Sequence, residues 1–244
     1  MKKILIIAAT HGNEPLGIEI LEKLKSKGLD NFFDTLIGNP KALEQKKEYI
    51  DINLNRIYPG KIDSDLYEVK KAAENLKIAK KYDYVIDLHE ASKGKNDFII
   101  VPREKLSEKF PLQYIDLDTV LIWPDPKGPL GEVLETCIEL EFGMNGRDRN
   151  EAIEKGTKII EEFIELIEKQ KNRNRPSPRF RTTRTKKQNL YYVFGKLMAE
   201  NFSGDINTLK DFKLAQINTE KFYPLLVGQY LEREGIVCYK MKKL

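Results

Sequence analysis

Two histidines, two cysteines and one tryptophan are all that 244 residues contain of these types. Cys137 and Cys238 lie far apart and lack the close spacing of a metal-binding pair. A disulfide framework and a cysteine-held metal are therefore not expected, and a reducing compartment is. No run of residues approaches the ~20 apolar positions that a membrane-spanning helix needs, so the reading is a cytoplasmic protein with no membrane partner. The opening "MKKILIIAA" puts lysines before an apolar stretch, as a signal peptide does. That stretch is too short, and polar residues follow at once, so a buried first strand is expected instead. No sign of charge predominates: 42 basic residues face 38 acidic ones, a net +4 that by itself implies no partner.

What is present is an alternation of short apolar runs with helix-like segments. Residues 4–9, 34–40, 82–89, 97–102, 119–123 and 136–143 read as strands. Residues 15–27 carry apolar side chains at 16, 20, 21 and 24, a helical spacing that stops at Gly28, with Pro15 suited to the first turn. Residues 63–80 and 151–170 also read as helices. Strands alternating with helices predict an α/β domain with a mixed sheet flanked by helices, here over residues 1–170. Composition then shifts. The segment "KQKNRNRPSPRFRTTRTKK" holds nine basic residues, no acid and two prolines. Residues 171–187 are read as a basic linker. Beyond it, from 188 to 244, short runs rich in Tyr, Phe and Val predict a small β-rich domain.

Both histidines fall where a predicted strand stops. His11 follows "IIAAT", with Gly12 beside it and Glu14 three residues on; His89 closes "YVIDLH". In an open α/β sheet, ligands collect outside the carboxyl ends of strands. Two imidazoles and a carboxylate make the His₂Glu set of several catalytic zinc sites. Either histidine alone would be read as a structural or surface residue, and H-x-x-E alone is a weak signal. Gly12 would let the backbone turn sharply between the two possible ligands. Asp87 either orients His89 or ends its strand, the latter being the plainer reading. Asn55 and Arg56 stand side by side, a pair suited to gripping a carboxylate; on these residues alone a turn with a surface arginine explains them as well. Glu139 and Glu141 sit among apolar neighbours and point the same way on a strand. Burial would raise their pKa and suit a general base, while the alternative is an edge-strand acid paired with a lysine. Pattern does not choose between them.

"HGNE", "GNPKAL", "DINLNR", "DLH" and "ELEFG", in this order, resemble the succinylglutamate desuccinylase/aspartoacylase family, which is related to zinc carboxypeptidases. The resemblance spans residues 3 to 165 and continues more loosely into "FYPLLVGQY". It implies a zinc-carboxypeptidase-like fold, with a small C-terminal β domain covering the active site. It implies one zinc ion per chain held by His11, Glu14 and His89. It implies Asn55 and Arg56 as binders of a substrate carboxylate, and the Glu of E-x-G, Glu141, as the catalytic base. Two positions depart from the family pattern. Glu48 stands where an arginine commonly precedes "YID" to polarise the scissile carbonyl; Lys46 and Lys47 are adjacent cations. Gly131 stands where aspartoacylases carry an arginine for an acidic substrate, with Lys127 the nearest cation.

The expected activity is a zinc-dependent deacylase cleaving the amide of an N-acyl amino acid or a similar small carboxylate-bearing substrate. A carboxypeptidase-like peptidase and an inactive ligand-binding relative are the alternatives. The basic segment raises a nucleic-acid partner, but it has one aromatic, Phe180, and no recognition fold after it; a solvated linker is the expectation. The sequence says nothing of the oligomeric state.

Overall fold

β1 (Ile4–Ala8) is buried along its whole length, and its side chains divide by parity. Ile4, Ile6 and Ala8 join one core, with Leu16, Ile20 and Leu24 of α1 (Leu16–Ser26) and Ile160, Phe163 and Ile167 of α5 (Arg149–Lys171). Leu5 and Ile7 join a second, with Ala72, Leu76 and Ala79 of α3 (Tyr67–Ala79). A strand with period 2 that is apolar on both faces needs helices on both sides. Each fully buried Leu or Ile contributes about 1.5–3 kcal/mol. The computed structural model describes residues 3–102, 110–124, 128–171 and 188–244.

The other strands are β2 (Asp34–Ile37), β3 (Tyr84–Ala91), β4 (Phe98–Val101), β5 (Thr119–Ile122), β6 (Cys137–Gly143), β7 (Asn189–Met198), β8 (Ala215–Ile217), β9 (Glu220–Leu225) and β10 (Ile236–Lys243). Short helices α2 (Pro40–Glu44), α4 (Leu130–Val133) and α6 (Leu231–Glu234) lie between them. The ten strands form one sheet in the order β2-β1-β3-β6-β4-β5-β7-β10-β9-β8. The pairs β2–β1, β1–β3, β3–β6, β4–β5 and β5–β7 are parallel, and the remainder antiparallel. The fold is thus the expected mixed, largely parallel sheet flanked by helices. The C-terminal strands continue that sheet through β7 on the edge of β5.

Element boundaries shift for local reasons. β1 stops one residue before Ala9, whose φ of 54° lies in the left-handed region. β3 runs two residues past His89, because Glu90 and Ala91 still pair with Phe142 and Gly143 of β6. Pro15 caps α1 rather than opening it, and the helix ends before Gly28, at φ 74°. The helix expected over 63–80 begins only at Tyr67. Of the linker read over 171–187, Lys171 ends α5 and the remainder lies outside the described residues. Among the described residues no helix is long and apolar enough to cross a membrane.

Candidate active site

The carboxyl ends of β1 and β3 are neighbours, since the strands pair in parallel with Ala8 opposite Leu88. That register brings the two histidines together, with ring centroids 5.2 Å apart. Glu14, one residue ahead of the Pro15 cap of α1, reaches between them. Its Oε1 is 2.7 Å from His11 Nδ1 and its Oε2 is 3.1 Å from His89 Nδ1. Glu14 Oε2 also accepts the Glu90 N–H at 3.2 Å. The turn into this cluster is costly: Ala9 holds a conformation that L-residues avoid by roughly 1–2 kcal/mol. It is kept by the pairing of the Gly38 and Asn39 N–H groups with the Ala8 and Ala9 carbonyls, at 2.8 and 2.9 Å.

Gly12 is required for a reason other than a sharp turn. Its φ is not in the left-handed region. A Cβ there would stand 2.0 Å from the Ala42 carbonyl carbon, so a side chain would collide with α2. Asp87 does not end its strand either. It is fully buried within β3, accepts the Thr10 hydroxyl at 2.9 Å, and its Oδ2 lies 3.3 Å from His89 Nε2. It therefore backs the imidazole with a charge contact, while His89 Nε2 has no hydrogen-bond partner among the described residues. His11 is held by a hydrogen bond instead, with Asn53 Oδ1 3.1 Å from Nε2.

Electrostatics follow from this packing. Burial opposes the Glu14 charge, but the two imidazoles outweigh it and hold the carboxyl well below the usual range. Burial likewise opposes charge on His89, yet Asp87 and Glu14 raise its pKa well above the ordinary value. Two nitrogen donors and one fixed anion thus face a common point. One ligand atom from each of His11, Glu14 and His89 lies within 4.8 Å of the others, a spacing at which the three could hold a metal ion. The donor set is that of a catalytic zinc site.

Opposite them runs β6, with Glu141 in register with His89 and Glu139 with Asp87. Both carboxyls line the cleft, as their shared parity on the strand requires. Burial first, then the charges of Glu14 and Glu139, push the Glu141 carboxyl up to about 8, against partial relief from His89. Burial also raises Glu139, but it accepts the Asn55 Nδ2 N–H at 3.3 Å and is engaged there. Asn55 and Arg56 sit on a single helical turn, Leu54–Arg56, and both line the cleft. Asn55 Oδ1 is buried with no hydrogen-bond partner among the described residues. The Arg56 guanidinium donates back to the Asn55 carbonyl at 2.9 Å.

The cleft encloses about 760 Å³, part of it open to solvent. Ile100, Pro102, Trp123 and Pro129 form its apolar side, and Leu226, Gln229 and Tyr230 close it from the C-terminal segment. Gly131 lines it, so a cationic side chain is absent from that position; Lys127 lies outside the described residues. Glu48 does not line the cleft but an adjoining polar recess. It pairs with Arg233 of α6 and accepts the Asn53 Nδ2 N–H at 3.0 Å. Lys46 and Lys47 are exposed and do not line the site. Sequence reasoning missed Asn53, Tyr230 and Arg233. Asn53 lies within the recognised "DINLNR", Tyr230 ends the loosely matching "FYPLLVGQY", and nothing local marks Arg233, which reaches the site only through the sheet.

Residues 1–167 match the succinylglutamate desuccinylase/aspartoacylase catalytic domain. The chain belongs to this family. It is 31% identical over 121 residues to the N-acyl-aromatic-L-amino acid amidohydrolase (carboxylate-forming) of Xenopus laevis, covering 41% of this chain and 38% of that one. It is 33% identical over 129 residues to the aspartoacylase of Mus musculus, covering 41% of each. These matches span about two fifths of the curated relatives' length. Among solved structures, murine aminoacylase 3 superposes with a TM-score of 0.75 at 18% identity, over 100% of this chain and 95% of that one. The succinylglutamate desuccinylase of Chromobacterium violaceum does so with 0.71 at 19% identity, over 100% and 85%. The fold is shared with both.

Proposed function

We propose that this protein is a zinc-dependent amidohydrolase that removes the acyl group from an N-acyl amino acid or a similar small carboxylate-bearing amide. The observation that carries the reading is the anionic Glu14 held between His11 and His89, with the raised carboxyl of Glu141 directly across the strand register from His89. The relatives named as an aspartoacylase and an N-acyl amino acid amidohydrolase point to the same substrate class.

In this reading His11, Glu14 and His89 hold one zinc ion per chain, which when bound supplies Lewis-acid activation of a water and of the amide carbonyl. Asp87 and Asn53 fix the two imidazoles by their second nitrogens, the outer support that a metal-binding histidine needs. Glu141 takes a proton from the attacking water and gives it to the leaving amine. A carboxyl raised by burial is suited to both halves of that transfer. Glu139 is drawn toward Asn55 and positions that amide. Asn55 and Arg56 bind the substrate carboxylate, which orients the scissile bond. Leu226 and Tyr230 narrow the cleft from the C-terminal segment, which favours a small amide over a peptide. Residues 1–170 act as the catalytic domain, 171–187 as a basic linker and 188–244 as a small β-rich domain that completes the cleft.

Metal analysis of the purified protein, together with a panel of N-acyl amino acids bearing acidic, neutral and aromatic side chains, tests the reading. About one zinc per chain and hydrolysis of at least one member are expected. His11→Ala and His89→Ala should each lose stoichiometric metal. Full retention in both variants would sink the site assignment.

A further inference from the structure

Beside the cleft, and sharing His11, Glu14, Gln229 and Tyr230 with it, is a polar recess of about 610 Å³. Its acids are Glu14, Glu48 and Glu90. Glu14 is matched by the two histidines, and Glu90 by the Arg149 guanidinium, 3.1 Å from both its oxygens. That leaves Glu48 opposite Arg233, which is the only guanidinium lining this recess among the described residues.

Arg233 is not on the catalytic half of the chain. It arrives on α6, from the C-terminal segment, and that segment is tied to the β3 end where Gln229 Oε1 accepts the Lys93 N–H at 2.8 Å. The guanidinium lies over the Tyr230 ring, 5.2 Å from its centroid, and Tyr230 itself lines the cleft. Glu48 is in turn anchored to the site. Its carbonyl accepts the Gly12 N–H at 3.3 Å, and its side chain holds Asn53, which contacts His11. Arg233, Glu48, Asn53 and His11 therefore form one connected line from the recess to the histidine cluster. Arg233 also donates from Nη2 to Glu234 Oε1 at 3.2 Å, yet an arginine carries five N–H donors in a rigid fork, so the two carboxylates do not exhaust it.

We propose that Arg233 is a substrate-contacting residue: it faces the acyl side of the substrate, donates to the carbonyl oxygen as negative charge develops there, and is positioned by Glu48. This rests on the amidohydrolase reading. Asn55 and Arg56 grip the carboxylate on one side, and Arg233 supplies the cation on the other. The cation needed for catalysis thus comes from the C-terminal segment, so the site is complete only when α6 is docked.

The alternative role for the pair is a strut that pins α6, and two variants separate the roles. Arg233→Met removes the guanidinium and the pair. Glu48→Gln keeps the guanidinium, and a neutral hydrogen bond to it, while removing the ion pair. As a substrate contact, Arg233→Met should lower kcat ten- to a thousandfold, and Arg233→Lys should recover part of it. Glu48→Gln should cost less than about fivefold, with metal content unchanged in all three. Methylphosphonate, a tetrahedral anion, is the second readout, by calorimetry on protein of matched metal content. Its affinity should fall at least tenfold in Arg233→Met and little in Glu48→Gln. Equal losses in both variants, tracking equal drops in Tm, would overturn the proposal in favour of a strut, as would unchanged phosphonate affinity in Arg233→Met or no phosphonate binding to the parent. If no amide is hydrolysed by the parent protein, the deacylase reading fails, and the phosphonate comparison still decides whether Arg233 forms an anion site.

Discussion

At the scale of single residues, the two glutamates of β6 show how position on a strand assigns chemistry. They point to the same side, yet they are one pleat repeat apart, about 6.6 Å at ~3.3 Å per residue. Glu141 lies opposite His89 and Glu139 opposite Asp87. Only one can stand within hydrogen-bond reach of a water at the histidine cluster. Glu141→Gln keeps shape and hydrogen-bonding reach but cannot accept the proton. It is expected to fold and retain metal while kcat falls about a hundredfold or more. Glu139→Gln still accepts from Asn55 and should cost far less. Steady-state kinetics on any substrate found in the panel checks both; an active Glu141→Gln beside a dead Glu139→Gln would reverse the assignment.

At the scale of elements, the site loop 48–56 has little regular structure and is held by a helix. Glu68, fully buried in the first turn of α3, accepts backbone N–H groups from Ile50, Asp51 and Ile52 at 2.6, 2.9 and 3.3 Å, and the Asn39 side chain at 3.1 Å. Asn39 caps α2, the helix against which Gly12 packs. One carboxylate thereby fixes the segment that carries Glu48, Asn53, Asn55 and Arg56. Hydrogen bonds to a charged group are worth about 1.5–3 kcal/mol each, and buried N–H groups left unpaired cost a similar amount. Glu68→Ala should therefore lower unfolding free energy by at least about 3 kcal/mol in urea titration and reduce activity, although the residue touches no substrate. A loss below 1 kcal/mol would show that water or a neighbouring group replaces it.

At the scale of the whole molecule, the second half of the chain completes both a core and a site. Ala91, Phe98, Ile100 and Leu121 from the first half share one apolar cluster with Tyr191, Val193, Leu225, Ile236, Tyr239 and Met241 from the second. β7 pairs with the edge of β5, so removing it would leave a row of unpaired N–H and C=O groups beside an uncovered apolar surface. A chain ending at Lys171 should accumulate in the insoluble fraction or as large aggregates in light scattering, and its soluble remainder should lack activity. A monodisperse, active truncation would show that the cleft needs no roof.

The sequence by itself determined the strands and the three long helices of the first half, because hydrophobic period is local: buried runs at 4–9, 82–89 and 136–143 and the spacing at 16, 20, 21 and 24 are visible without partners. It also carried the family membership, because "HGNE", "DINLNR" and "ELEFG" keep chemically distinctive residues at short spacing. Tertiary structure alone decided the rest. Gly12 reads as a turn glycine until α2 is placed against it, and Asp87 reads as a strand end until Thr10 and β6 bury it. Glu48 reads as a lost cation until Arg233, from the far end of the chain, is set beside it. In each case the deciding contact spans a long stretch of chain, and periodicity carries no information about which distant side chain the sheet will bring near.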